Sequence, residues 1–233
     1  MLAILQARCS SKRLPRKVLS SVNGKPIILW QLERILQSNE ISRVIVATSD
    51  DASDDELVDL LDDQGFEVSR GNLDNVLERF IRVINEQGID SFVRLTADCP
   101  LFMPAIADKL ISKFHELQVD YLSNTITPTF PDGCDVEVVK SEKLFQLFGS
   151  QPSEAEQEHV TLGLYKRNKF AVCVNIENDQ NDSNYRWTLD THEDLDFVRA
   201  VYEHMVGRES TFGYSDVMDL IRVGAVRENM AIR

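Results

Sequence analysis

No apolar run in the 233-residue chain approaches the ~18 residues that a membrane-crossing helix needs, which excludes a helical membrane protein. Cysteine is sparse. Cys9, Cys99, Cys134 and Cys173 lie far apart with no CxxC pair and no zinc spacing, so a zinc module or a disulfide scaffold is excluded. Scattered single cysteines fit thiols kept reduced in a cytoplasm. The chain opens directly on a strand-like segment with no basic-then-apolar leader, and the expected location is therefore cytoplasmic. Neither GxGxxG nor GxxxxGK[ST] occurs, which removes the dinucleotide fingerprint and the Walker loop. No GxSxG or reactive-cysteine signature appears, and His115, His159, His192 and His204 are scattered. Positive charge is also short. Lys and Arg total 25 against 38 Asp and Glu, a formal net charge of −13. Phosphate backbones and anionic membranes demand the opposite balance, so neither nucleic acid nor a membrane is an expected partner.

Against that acidic background, Leu2 to Lys17 stands out. A short apolar run, Leu2-Ala3-Ile4-Leu5, leads into a loop with five cations: Arg8, Lys12, Arg13, Arg16 and Lys17. A basic loop beyond a buried strand suggests a local anion site, since ligands of open α/β sheets bind beyond the carboxyl ends of strands. From charge alone it reads equally well as a solvated surface. Cys9 lies inside this loop, where cations could lower its pKa, although a small space-filling residue is the simpler reading.

The apolar spacing then predicts alternating elements. Helix is expected from Pro26 to about Ser38, 54–64 and 74–87; strand at 43–48, 66–69 and 91–95. This β-α-β-α-β-α-β order is the pattern of a parallel sheet flanked by helices. Further on, helices are expected at 104–117, 141–148, 151–168, 191–205 and 215–224. Strands are expected near Tyr121 and at 135–139, 171–176 and 186–189; 124–133 and 177–184 read as loops. The length suits one large α/β domain spanning 1–233.

Two acids fall just past strand ends, Asp98 before Pro100 and Asp190 after Leu189. Carboxylates from separate strand ends are what Mg²⁺ requires, with phosphates and waters as its other ligands. Each also has a plainer reading: Asp190 as the cap of the helix that follows, Asp98 as the cap of a turn. Together with the basic loop they form a Mg–nucleotide pattern.

These residues sit in ordered blocks: Gln6-Ala7-Arg8, Ser11, Arg13-Leu14-Pro15 and Lys17; Gly24-Lys25-Pro26; Arg70-Gly71-Asn72 with Asp74 and Arg79; Val93 to Leu101. They continue as Phe130-Pro131-Asp132-Gly133, Asp135 to Val138, Glu158-His159-Val160-Thr161 and Arg186 to Leu195. Nearly end to end, the chain resembles the cytidylyltransferase family that includes CMP-Kdo synthetase and acylneuraminate cytidylyltransferase, most of all its spore coat polysaccharide biosynthesis protein F branch. The resemblance implies a Rossmann-like, GT-A-like nucleotidyltransferase fold with a mixed, mostly parallel sheet. It also implies a small inserted subregion at about 125–180 for the acceptor and a homodimer interface. Arg8, Lys17, Asp98 and Asp190 would be catalytic, with Arg8, Arg13 and Lys17 on the triphosphate and Asp98 and Asp190 on Mg²⁺. Gln6, Ala7, Ser11 and Thr96 would line the nucleotide, and Arg70, Asn72 and Arg79 would approach base or ribose. Asp132, Glu137 and His159 would face the acceptor, a sugar or sugar acid that attacks the α-phosphorus of CTP and releases pyrophosphate.

The sequence departs from the family at three places. Ser10 and Arg16 stand where the family loop has glycines, so a left-handed backbone at either would cost about 1 kcal/mol. Gln157 replaces an arginine before Glu158-His159. Two rival functions follow from the same residues: a GT-A-like glycosyltransferase, disfavoured because Thr96-Ala97-Asp98 is not an Asp-x-Asp motif, and an inactive nucleotide-binding paralogue.

Overall fold

The structure, a computed structural model, describes residues 1–230. The chain enters through β1 (Leu2–Gln6), a small hairpin of β2 (Ser21–Val22) and β3 (Lys25–Pro26), and α1 (Ile27–Ile35). It continues through β4 (Arg43–Ser49), α2 (Asp55–Asp63), β5 (Glu67–Gly71), α3 (Val76–Gln87), β6 (Ser91–Thr96) and α4 (Pro104–Leu117). The second half carries β7 (Tyr121–Ser123), β8 (Glu137–Lys140), α5 (Ser141–Gly149), α6 (Glu154–Glu158), α7 (Leu162–Lys166) and β9 (Cys173–Asn175). It ends in α8 (His192–His204) and α9 (Tyr214–Arg222).

The main sheet has the order β5-β4-β1-β6-β8-β7-β9, with β8 antiparallel to both neighbours and the other pairs parallel. The mixed, mostly parallel sheet expected from the sequence is what forms. Its central strand shows why. Ala3 and Leu5 point into one core with α1, α2, α4 and α8, whereas Ile4 points into another with α3, α5 and α7. Both faces of β1 are buried, and a fully apolar run is the residue pattern such a strand needs. After β1 the chain builds outward through β4 and β5, then returns to place β6 on the other side of β1. The crevice at that reversal lies past the carboxyl ends of β1 and β6, where the basic loop and Asp98 emerge.

Four expectations need correction. Pro26 belongs to the hairpin and precedes α1 as its cap residue, rather than opening the helix. Strand β8 starts at Glu137, because Asn124 takes the Val136 amide and donates to the Cys134 carbonyl. The expected helix over 151–168 is two short helices, broken at Val160, whose φ is 45°. Burial of Val160 and of Thr161 against the sheet forces that break, and helical spacing in the flanking residues conceals it. Finally, 186–189 is extended but, among the described residues, joins no strand. Its amides bond to three separate partners, Asn229, Asp132 and Asp98, so it threads between loops.

Candidate active site

The loop after β1 is folded by its own backbone and clamped by a buried acid. Ser11 and Arg16 amides both donate to the Cys9 carbonyl at 2.9 Å, and the Cys9 amide donates to Asp54 at 2.6 Å. Asp54 is fully buried and also accepts from the Ser49 amide and hydroxyl, which ties the loop to the end of β4. In the sequence Asp54 reads only as a helix start; its clamp spans 45 residues and carries no local signal. The same burial, with Asp54 beside it, pushes the Cys9 thiol up to about 12, opposite to what the loop cations alone would do. Cys9 is therefore an inert packing residue. The Ser10 hydroxyl is buried without a partner among the described residues.

Arg16 adopts φ 59°, the left-handed conformation that a glycine takes freely, and its guanidinium pairs with exposed Glu56. Ser10 shows no positive φ. The backbone cost thus falls on Arg16, at about 1 kcal/mol. Arg16→Gly is expected to melt higher than Arg16→Ala by the equivalent of about 1 kcal/mol, since both lose an exposed pair and only glycine sheds the strain. Equal thermal stability of the two variants would refute the assignment.

Lys17 organises the crevice. Its Nζ lies 2.8 Å from the Leu189 carbonyl, 2.8 Å from Asp190 Oδ1 and 3.7 Å from Asp98 Oδ2. Asp190 receives Arg13 and Arg186 as well, each at 2.8 Å through its Oδ2. Burial disfavours the Asp190 charge, but Lys17, Arg13 and Arg186 outweigh it and hold the carboxyl below its usual range. Asp190 is not the helix cap: Thr191 caps α8, with Asp194 completing a capping box. Among the described residues Asp98 caps no backbone amide; its own carbonyl accepts the Leu189 amide at 2.8 Å. Arg13, Lys17, Asp98 and Asp190 are therefore brought together, while Arg8 turns to Glu158 and Arg16 to Glu56. Asp132 joins them, accepting from Arg186 at 3.3 Å and Thr188 at 3.4 Å. Gly133 makes this possible. At φ 113°, any Cβ there would sit 2.7 Å from the Trp187 backbone.

The remaining expected residues divide between wall and scaffold. Gln6 and Thr96 are register partners at the ends of β1 and β6, and Gln6 Oε1 accepts from Arg94 at 3.1 Å. Arg94 in turn pairs with Glu137, which also accepts from Tyr121 at 2.8 Å and from Thr161. Glu137 is thus buried in a hydrogen-bonded chain under the crevice. The Ala7 amide is spent on Ala47, and the Ser11 hydroxyl accepts from Leu14. Arg8 is half-exposed with Glu158 at 3.8 Å, beside exposed His159, so the break between α6 and α7 overhangs the basic loop. The Gln157 amide turns away to the Pro152 carbonyl. Arg70 is held by Ser49, Asp51 and Asp55, and Asn72 caps the turn before α3. Buried Arg79 donates to the Asn72 and Leu73 carbonyls. Its charge is weakened by burial and by Arg8, which places Arg79 within electrostatic reach of the loop. Residues the sequence reading passed over are Asp54, Arg94 and Arg186; Arg94 and Arg186 lay in blocks that pointed to the site, whereas Asp54 lay in none.

A cytidylyltransferase family model matches residues 2–213. The chain belongs to the cytidylyltransferase family. It is 33% identical over 230 residues to the spore coat polysaccharide biosynthesis protein SpsF of Bacillus subtilis, covering 95% of this chain and 93% of that one. A solved cytidylyltransferase from Leptospira borgpetersenii superposes with a TM-score of 0.91 at 28% identity, covering 99% of this chain and 98% of that one. The structure of CMP:2-keto-3-deoxy-manno-octonic acid synthetase complexed with CTP shares the fold, with a TM-score of 0.64 and 16% identity over 87% of this chain and 98% of that one. This cytidylyltransferase is therefore an enzyme of the nucleotidyltransferase class with the nucleotidyltransferase fold. Among the described residues, no helix is long and apolar enough to cross a membrane.

Proposed function

We propose that this enzyme transfers CMP from CTP to a sugar or sugar-acid hydroxyl, with release of pyrophosphate, in the synthesis of a surface polysaccharide or related glycan. The carrying observation is Lys17, whose ammonium bridges Asp98 and Asp190 at the mouth of the crevice while Arg13 shares the second carboxylate. Displacement at phosphorus is helped most by charges already fixed where charge develops. Lys17 offers a compact charge to the outer phosphates, and Arg8 and Arg13 offer planar forks suited to phosphate oxygens. The walls from β1 and β6 fix these groups on rigid strand ends, which aligns the attacking and leaving oxygens.

The donor set also fits Mg²⁺. Asp98 and Asp190 both face the Lys17 ammonium, and among the described residues no group of three or more acid, His or Cys side chains is arranged to hold a metal by itself. A hard ion that keeps several waters and takes substrate phosphates needs such an open pair. When bound there it would neutralise charge on the triphosphate oxygens. Asp132 and His159 face the side left for the acceptor, with Glu137 buried behind them. A homodimer contact through about 125–180 and a cytoplasmic location belong to the same reading.

The test is a thermal-shift panel of CTP, UTP, ATP and GTP, each with and without Mg²⁺, followed by pyrophosphate release over sugars and sugar acids. A Mg-dependent shift largest with CTP is expected, and Asp98→Asn should fold normally yet lose the Mg-dependent part. Absence of any Mg-dependent shift in the wild type would sink the reading.

A further inference from the structure

At the end of the sheet away from the crevice lies a second concavity. It has a volume of about 500 Å³ and sits where the carboxyl end of β8 meets the amino end of β6, with Lys140 in register with Ser91. The six residues of β6 run from there toward the crevice, at about 3.3 Å each, and the two sites share no residue. Small-molecule sites are concavities of about 300–1,000 Å³ with apolar walls and a few placed polar groups. Both parts are present. Ile89 after α3, Phe114 of α4 and Phe145 of α5 form the apolar wall. Ser141, the first residue of α5, also lines the cavity; it is only 3% exposed, and its hydroxyl is buried without a partner among the described residues. A buried hydroxyl left unpaired costs free energy, and in a cavity wall it marks where a ligand atom belongs.

Charge sets the sign of that ligand. Lys140 is the one cation among the described residues lining the cavity, and its Nζ is held by Asp120 at 3.1 Å. Two acids line it as well. Asp90 is exposed and its carboxylate has no partner among the described residues; Glu142 gives Oε1 to Gln146 at 2.8 Å and keeps its other oxygen. An anion at the start of α5 would gain from the helix dipole. Here the two carboxylates oppose it, and the first amide, that of Ser141, is already spent on the Asp90 carbonyl at 2.9 Å. An ammonium instead finds acceptors in the carboxylates and the Ser141 oxygen, and aromatic walls suit both its charge and its carbon skeleton.

We propose that this cavity binds an organic ammonium ion, a primary amine on an aromatic or aliphatic body. The amine sits on Asp90 and Ser141, and the body packs against Ile89, Phe114 and Phe145. No group at the crevice takes part, so the site stands or falls independently of the nucleotidyl-transfer reading.

The test is a saturation-transfer NMR titration of the full chain with 2-phenylethylamine, beside 2-phenylethanol and 3-phenylpropionate, which keep the aromatic body and change the charge. The amine is expected to bind about tenfold more tightly than the alcohol, and the propionate not measurably. Asp90→Asn should weaken the amine about tenfold at an unchanged melting temperature, because the carboxylate it replaces is exposed and unpartnered. Ser141→Ala removes a hydroxyl that nothing in the protein satisfies, so it should keep or raise the melting temperature while weakening the amine about fivefold. A purely structural Ser141 would not move the affinity. Failure of the amine to bind, including closure of the cavity by a second copy of the chain, overturns the proposal. Tighter binding of the propionate, or an amine affinity indifferent to both substitutions, overturns it equally.

Discussion

Lys17→Met is expected to lower kcat/KM for CTP by about a thousandfold, the upper range for removing one fixed donor from a charge-stabilising site. Methionine retains most of the aliphatic stem, so packing around the side chain survives and the loss reports the ammonium. Lys17→Arg is not expected to rescue. The Nζ sits 2.8 Å from both the Leu189 carbonyl and Asp190, a socket for a point charge that a planar fork would overfill. The fold should persist because Arg13 and Arg186 still hold Asp190. Stability tells the same story through its pH dependence. The depressed pKa of Asp190 contributes stability above the unfolded aspartate value and loses it as pH falls through the folded value. Lys17→Met removes a principal support of that depression. The gap in melting temperature between wild type and variant should therefore narrow below about pH 4. Near-wild-type turnover in Lys17→Met would displace Lys17 from the centre of the site.

How much of this was legible in the sequence depended on how local the determining contacts are. Helical spacing located α1, α3, α4 and α8 within a few residues, and the apolar run of β1 announced a strand buried on both faces. Spacing failed at Val160 because residues on either side keep helical periodicity while the sheet, not the helix, decides where Val160 is buried. It failed at 186–189 because a β-branched and aromatic segment resembles a strand whether its amides find one neighbour or three.

The site follows the same rule. The basic loop and both acids could be chosen from charge and position, yet the sequence could not decide whether Asp190 caps α8 or faces the crevice. Thr191 takes the cap, which frees Asp190 for Lys17, and only three-dimensional structure distinguishes two adjacent capping candidates. Arg16 carries the left-handed backbone at one of the two substituted glycines, whereas Ser10 does not. A missing glycine marks a position for inspection and leaves its conformation undetermined. The roles of Asp54 and Arg94 could not be read because their partners lie 45 and 43 residues away, although Arg94 stood in the same block as Asp98.

Glu137 shows what that long-range dependence costs when broken. Glu137→Ala is expected to destabilise the protein by about 3–5 kcal/mol, the range for removing one partner of a buried pair. The Arg94 side chain is largely buried, and its charge is sustained above its usual range against burial chiefly by Glu137. Without that carboxylate the guanidinium keeps only Gln6, and the Tyr121 and Thr161 hydroxyls lose their acceptor. For a chain of this size the melting temperature should fall by roughly 6–20 °C, at about 2–4 °C per kcal/mol. Pairing Glu137→Leu with Arg94→Met should recover much of the loss, because no charge is then left uncompensated. The measurement also separates the two roles open to this residue. A structural Glu137 lowers the melting temperature before substrate is added. One that serves mainly to bind acceptor would leave stability unchanged and raise KM for the acceptor alone, and that result would make the Arg94 pair incidental.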